Sequence, residues 1–316
     1  MKRFSFYILC LVMLPTFVSC SKELDYELPY LGDKLVINGI LTPSQVISLR
    51  VSKTAPVSSN LSDNLGIDNA MVALYEGGVF LENLISVDTG TYISPSAYKP
   101  VAGKSYFVRV SAAGFPDVET MPEKVPLPVT IDKYDFQEAI KSRLNEYNPT
   151  RKLMLAFTDD PAQEDYYSIE VQGYYQGYRV AHNVYYLDKP MDADDPCGFL
   201  SSGGNLRSGS SILQYNLTDI CFNGNTYRVN FGVETRGFPQ DGYLEKYPDF
   251  CCDVDIDLIT VSMKKVSKIY SEYLKTGNQP EGFFLAFMEP NVMHSNVKGG
   301  LGLLAAYNEY KFNINL

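Results

Sequence analysis

A chain of 316 residues, 45 % hydrophobic and 20 % charged, has an ordinary globular composition and is long enough for two domains. Its formal charge of −10 excludes the basic surface on which nucleic-acid affinity depends, so no nucleic-acid partner is expected. The 24 Tyr and 17 Phe, with Gly and Pro recurring at short intervals, point to an all-β protein, and the absence of Trp removes the strongest aromatic platform for cations.

Met1-Lys2-Arg3 is a short basic start, Phe4 to Leu14 an uncharged apolar run, and Pro15-Thr16 breaks it. This is the layout of a secretory signal. The run is too short for a bilayer core of ~30 Å, which takes ~20 residues to cross. Phe17-Val18-Ser19-Cys20 follows. A large apolar residue, a medium one, a small one and then cysteine resembles the lipobox of bacterial lipoproteins, with Phe17 where Leu is usual. The resemblance implies cleavage before Cys20, a diacylglyceryl group on its thiol and acylation of the new amine. Burial of ~0.8 kcal/mol per CH₂ over two or more chains then holds the protein to a membrane. Cys10 leaves with the signal. Behind Cys20, the carboxylates of Glu23, Asp25 and Glu27 resemble the acidic export tag of Bacteroidota surface lipoproteins, a receptor-read address and not an anchor. Residues 1–19 are therefore expected to be a signal peptide and 20–33 a lipid-anchored tether. The expected location is the outer membrane at the cell surface, with its periplasmic face as the alternative. Loss of Lys2 and Arg3 takes the charge from −10 to −12, so attachment to anionic lipid must come from the acyl chains.

From Lys34 short strands alternate with turns. Ile47, Leu49 and Val51 alternate with Ser48 and Arg50, a half-buried strand pattern. Met71–Tyr75 leads into Glu76-Gly77-Gly78, a hairpin turn signal, then Val79–Val87, and Asp88-Thr89-Gly90 turns into Thr91-Tyr92-Ile93. In Lys104–Ser111, Tyr106, Val108 and Val110 share one face and Ser105, Arg109 and Ser111 the other, with Phe107 an exception on the polar side. Strands about every ten residues over 34–128 fit an immunoglobulin-like β-sandwich without its Cys-Trp-Cys pattern. Pro122, Pro126 and Pro128 place a boundary there.

Residues 129–316 read as a β-rich meander or barrel-like domain with one short helix. Ile131–Phe136, Lys152–Phe157, the Tyr-rich Asp165–Tyr178, Val184–Leu187 and Phe283–Met288 are expected strands, and 137–147 a short helix or loop. The Gly/Ser run 201–211 lacks the Lys-Ser/Thr ending of a phosphate-cradling loop. Four cysteines, Cys197, Cys221, Cys251 and Cys252, allow three pairings. Neighbouring cysteines fit disulfide geometry poorly, so Cys197 and Cys221 are each expected to bond one of the Cys251-Cys252 pair. A zinc site is the rival reading, but no Cys-x-x-Cys pair is present, and His182 and His294 are far apart in sequence. Asp188, Asp192, Asp194 and Asp195 read as a polar loop, and Asp253, Asp255 and Asp257 as one solvated strand face. Neither has the Gly and terminal Glu of a calcium loop, so no metal or cofactor is expected. In Lys264–Lys275, Val266, Ile269, Tyr270, Tyr273 and Leu274 fall at helical spacing before Gly277.

The closing stretch Ser295-Asn296-Val297-Lys298-Gly299-Gly300-Leu301-Gly302-Leu303-Leu304, with Ala306-Tyr307, resembles the end signature of a Bacteroidota lipoprotein family, domain of unknown function 4249. So do Lys34-Leu35-Val36-Ile37-Asn38-Gly39 with Leu41-Thr42, Gly103-Lys104-Ser105-Tyr106, Asp165-Tyr166-Tyr167 and Tyr270 with Tyr273-Leu274. Leu304-Ala305 departs from the family's frequent Phe-Gly. The resemblance implies an outer-membrane lipoprotein encoded beside TonB-dependent transporters, with no catalytic residue to carry over. Physically, Gly299, Gly300 and Gly302 suggest a tight turn or close strand approach, and a ligand loop second.

The expected function is a non-enzymatic binding or accessory module, held to the membrane by the lipid on Cys20 and partnered by a TonB-dependent transporter. A carbohydrate- or peptide-directed hydrolase on a β scaffold and an adhesin or fimbrial subunit are the alternatives. The first lacks a helical HExxH and a Gly-x-Ser-x-Gly elbow.

Overall fold

The computed structural model describes residues 30, 32–56, 65–140, 149–188, 197–202, 213–240, 242–247, 251–276 and 294–316. Cys10, Cys20 and the acidic tag lie outside them, as do Asp192, Asp194, Asp195, most of 137–147 and of the Gly/Ser run, and the expected strand Phe283–Met288.

The fold is all-β. Its first part holds β1 (Leu35–Leu41), β2 (Ser48–Lys53), β3 (Met71–Glu76), β4 (Val79–Asp88), β5 (Thr91–Ile93), β6 (Ser105–Ser111), β7 (Val118–Thr120) and β8 (Glu123–Lys124). Alternation does the sorting: Leu35, Ile37, Leu49, Val51, Val72, Leu74, Tyr106, Val108 and Val110 turn inward and are buried together. β4 is shared between two layers. Its first half pairs with β3, which pairs with β6, and its second half pairs with β5, which continues to β2 and β1. The β3–β4 hairpin turns at Gly77 (φ 55°) and Gly78 (φ 91°), two successive positive φ values of the kind that a tight hairpin turn selects.

The second part holds β9 (Lys133–Ile140), β10 (Thr150–Thr158), β11 (Tyr166–Tyr175), β12 (Tyr178–Ala181), β13 (Val184–Tyr186), β14 (Gly198–Ser202), β15 (Leu213–Thr218), β16 (Thr226–Glu234), β17 (Arg236–Pro239), helix α1 (Tyr243–Lys246), β18 (Val254–Asp255), β19 (Leu258–Val266) and helix α2 (Lys268–Thr276). β13, β16, β10 and β9 make a four-stranded sheet. Its Leu153, Leu155, Phe157, Val229 and Phe231 share a core with Tyr167, Ile169, Val171, Ile259, Val261 and Met263 of β11 and β19. β20 (Val297–Lys298) and β21 (Leu301–Asn315) close the chain.

β21 joins the two parts. Its residues 301–306 run parallel to β1, and 307–315 run antiparallel to β19. Leu304 and Ala306 enter the first core, and Phe312 and Ile314 pack on the second.

Two sequence expectations are corrected. Lys264, Lys265 and Val266 are the end of β19 and not the start of the helix, which begins at Lys268. β19 lies between β11 and β21 and is buried on both faces, so it loses the alternation that marks a half-exposed strand. Ser267 marks the change, accepting the Tyr270 N–H at 3.3 Å in the manner of a helix cap. The second correction concerns the disulfide, which joins Cys197 to Cys221 and leaves Cys251 and Cys252 free. β14 and β15 pair with Gly198 opposite Leu217, Thr218 N–H donates to Cys197 O at 2.7 Å, and the 3₁₀ turn Asp219–Cys221 brings the second sulfur back. The Cα atoms are 5.7 Å apart, inside the usual ~4.4–6.8 Å. Cys251 and Cys252 precede β18, which pairs with β17 instead.

Candidate interaction surface

Strand register builds two rows of side chains on the outer face of the β4–β3–β6–β7–β20 layer. Tyr75 stands opposite Phe80 on one side and Phe107 on the other, an aromatic row across three strands. Tyr75 and Phe107 stack with centroids 4.6 Å apart and planes within 4°, and Phe80 meets Tyr75 edge-on at 5.7 Å. One pleat along, Ala73 faces Arg109, Arg109 faces Glu119, and Glu119 faces Lys298. This second row alternates in charge.

Arg109 ties the rows together. Its Nε donates to Glu119 Oε2 at 2.5 Å, and its guanidinium lies 5.0 Å from the Tyr75 ring centre and 5.7 Å from that of Phe107. Glu119 holds the Arg109 pKa above its ordinary value. Beyond the charged row, small Ala73 and Gly299 leave a hollow of ≈ 570 Å³, walled by Met71, Tyr75, Arg109, Ser111, Asp117, Glu119 and Lys298. Met71 is 60 % exposed, and the adjoining β4 exposes Val79, Phe80, Ile85 and Val87. An aromatic, Met- and Arg-bearing hollow beside exposed aliphatic residues is the composition of a protein-docking face. Sequence reading missed it as a site, although Phe107 on the polar side of its strand was the available signal.

A second, smaller hollow of ≈ 250 Å³ lies where the two parts meet, among Glu123, Pro126, Glu164, Asp165, Ser267 and Lys268. Burial pushes the Glu123 carboxyl up to about 7, against a smaller opposing pull from Ser267. The other carboxylates there are engaged. Glu164 accepts the Tyr166 hydroxyl at 2.5 Å and pairs with Lys268 at 3.5 Å, and Asp165 forms a buried ion pair with Lys265. Asp165 leads into a buried acidic cluster that sequence spacing did not reveal. Its N–H donates to Asp219 Oδ2 at 2.8 Å, and Asp159 receives the Tyr167 hydroxyl at 2.5 Å and the Gly224 N–H at 2.9 Å. Burial raises the Asp165 and Asp219 pKa values, with Lys265 opposing at Asp165. These contacts tie the ends of β10, β11 and β15 to one another and to β19.

The other singled-out residues are placed as follows. Asp253, Asp255 and Asp257 are exposed while Val254 and Ile256 are buried, so the three carboxylates do share a solvated face. Asp255 pairs with Arg236 at 3.0 Å, and Asp257 accepts the Gln176 N–H at 2.7 Å. Asp188 accepts the Asn230 backbone and side-chain N–H groups at 2.8 and 2.7 Å. Buried His182 accepts the Gly173 N–H at 2.8 Å, and burial lowers its pKa to about 4. The closing Gly-rich stretch packs tightly: a Cβ on Gly302, whose φ is 108°, would lie 2.0 Å from Ile37 O.

The model of one family, Domain of unknown function (DUF4249), matches residues 21–313. No curated protein matches the chain.

Proposed function

The chain belongs to the DUF4249 family, and on that footing we propose that it is a non-enzymatic binding module, anchored to the outer membrane through lipid on Cys20, that docks onto a TonB-dependent transporter. The observation that carries the docking half is the pair of cross-strand rows, Phe80–Tyr75–Phe107 and Arg109–Glu119–Lys298, beside the exposed Met71. Protein interfaces favour aromatic, Met and Arg anchors in a depression with a charged rim. The anchoring half rests on the Phe17–Cys20 stretch and the acidic residues behind it. Protease shaving of intact cells followed by affinity capture tests both halves. The reading expects the chain to be cleaved from outside and to recover an outer-membrane transporter. Protection from protease removes the surface location, and capture without a transporter above background removes the partner.

An adhesin or fimbrial subunit is the second reading, favoured by one observation. Among the described residues, Val79–Leu84 of β4 pairs only with β3 and leaves its other backbone edge open. It requires strand exchange between copies, seen as a heat-sensitive ladder of this chain on gels of unboiled cell extract. A single band at monomer mass removes it.

A further inference from the structure

Cys251 and Cys252 are both exposed, and their sulfurs lie 2.9 Å apart. The buried Cys197 sulfur and that of Cys221 are already joined to each other, so neither is available to this pair. Asp253 follows directly, and then Val254 and Ile256 are buried in the second core. The two thiols are thus held at the surface by a segment fixed immediately behind them. Bonded sulfurs sit at ~2.05 Å, so closing the gap takes a movement of less than about 1 Å.

We propose that Cys251 and Cys252 form a redox-active vicinal pair that takes up low-molecular-weight disulfides and closes into a Cys251–Cys252 bond by thiol–disulfide exchange. The hydrogen bond with Cys251 is the largest cause raising the Cys252 pKa. Exchange starts from whichever of the two exposed sulfurs is present as its thiolate, and the other lies 2.9 Å away to complete it. With Cys251 attacking first, its thiol gives its proton to solvent, and the thiolate attacks one sulfur of the external disulfide, forming a mixed disulfide and releasing one small thiolate, which takes a proton from water. Cys252 then gives its proton to solvent and attacks the Cys251 sulfur, expelling the second small thiol. Two protein thiols lose two electrons, and one external disulfide becomes two thiols. Neighbouring Cα atoms are ~3.8 Å apart, below the ~4.4–6.8 Å of ordinary disulfides. The ring is therefore strained and easily reopened, as strained exposed disulfides are. The chain would carry a labile pair beside a lasting bridge.

The test treats the full-length mature protein with oxidised glutathione, alkylates it, digests it and weighs the peptides. The peptide holding Cys251-Cys252 is expected to be unalkylated and lighter by two hydrogens, and to regain two alkylation sites at a reductant level that leaves Cys197–Cys221 closed. The Cys252→Ser variant is expected to retain one glutathione on Cys251. Alkyl groups or separate glutathiones on both cysteines, bonds from either to Cys197, Cys221 or a second chain, opening only together with Cys197–Cys221, or no adduct in Cys252→Ser would each overturn the proposal.

Discussion

Asn296 is buried, and both ends of its amide are used. Its Nδ2 donates to Leu304 O at 2.8 Å, and its Oδ1 accepts the Leu304 N–H at 2.9 Å, so a side chain stands in for a strand partner at the start of β21. Replacing it with Ala leaves both Leu304 groups unpaired in the interior, and N296A is expected to lower unfolding stability by about 2–4 kcal/mol in denaturant titration. Gly302→Ala must fit a Cβ 2.0 Å from Ile37 O at a φ that L residues rarely adopt, and should lose about 3 kcal/mol or more. The closing motif is legible as glycine-rich, and a tight turn or a close strand approach is its first physical reading; at Gly302 the close approach, to Ile37, is what the structure shows. The role of Asn296 was not legible, because its partner lies eight residues away across a turn whose shape the sequence does not state. The proposed anchoring is tested at the same scale: if Cys20 carries the lipid, Cys20→Ala should move the protein out of the membrane pellet in cell fractionation, and a variant that stays in the pellet removes that anchor.

At the scale of elements, alternation worked where one face of a strand meets water. β2, β3 and β6 were readable for that reason, and Phe107 was the residue out of pattern that marked the outer face. β19 was misread at its end because a strand with neighbours on both edges and cover on both faces carries no period of two. The cysteine pairing failed for a related reason. The β14–β15 hairpin sets which sulfurs meet, and neither cysteine spacing nor count encodes it. The bridge closes a loop with a sequence separation of 24, for which chain entropy gives about 3 kcal/mol. A Cys197→Ser, Cys221→Ser double variant should unfold at correspondingly lower urea concentration and still fold, since β14 keeps its ladder to β15. Retained stability in that variant would show that the unfolded chain gains nothing from losing the bridge.

Over the whole molecule, two buried titrating groups act in opposite directions. Glu123, at the meeting of the two parts, has its carboxyl raised to about 7, from an unfolded value of ~4.3. The folded state holds this proton more tightly, so the contribution is fully present below about 4.3 and is lost as pH rises through about 7. His182, in the second core, is lowered to about 4 from an unfolded value of ~6.5. Its contribution is present above about 6.5 and is lost as pH falls through about 4. Each is worth up to roughly 3 kcal/mol, and over the shared window they offset each other. Glu123→Gln removes one side. Its stability gain over the wild type should be near zero below pH ~4 and grow towards ~3 kcal/mol by pH ~7.5, read from urea midpoints along a pH series. A gain that does not change with pH would show that Glu123 ionises in the fold as freely as in the unfolded chain.

The outer face of β3 and β6 is where the proposed docking is tested most directly. A photo-crosslinking residue placed at Ser111, in the wall of the hollow, can be illuminated in intact cells and its adducts identified by mass. The account predicts a TonB-dependent transporter as the adduct. It also predicts at least a tenfold loss of that adduct when Phe80→Glu is added, since an aromatic anchor at an interface contributes ~2 kcal/mol or more. A transporter adduct unchanged by Phe80→Glu, or no transporter adduct from Ser111 in cells where the protein is at the surface, would contradict it.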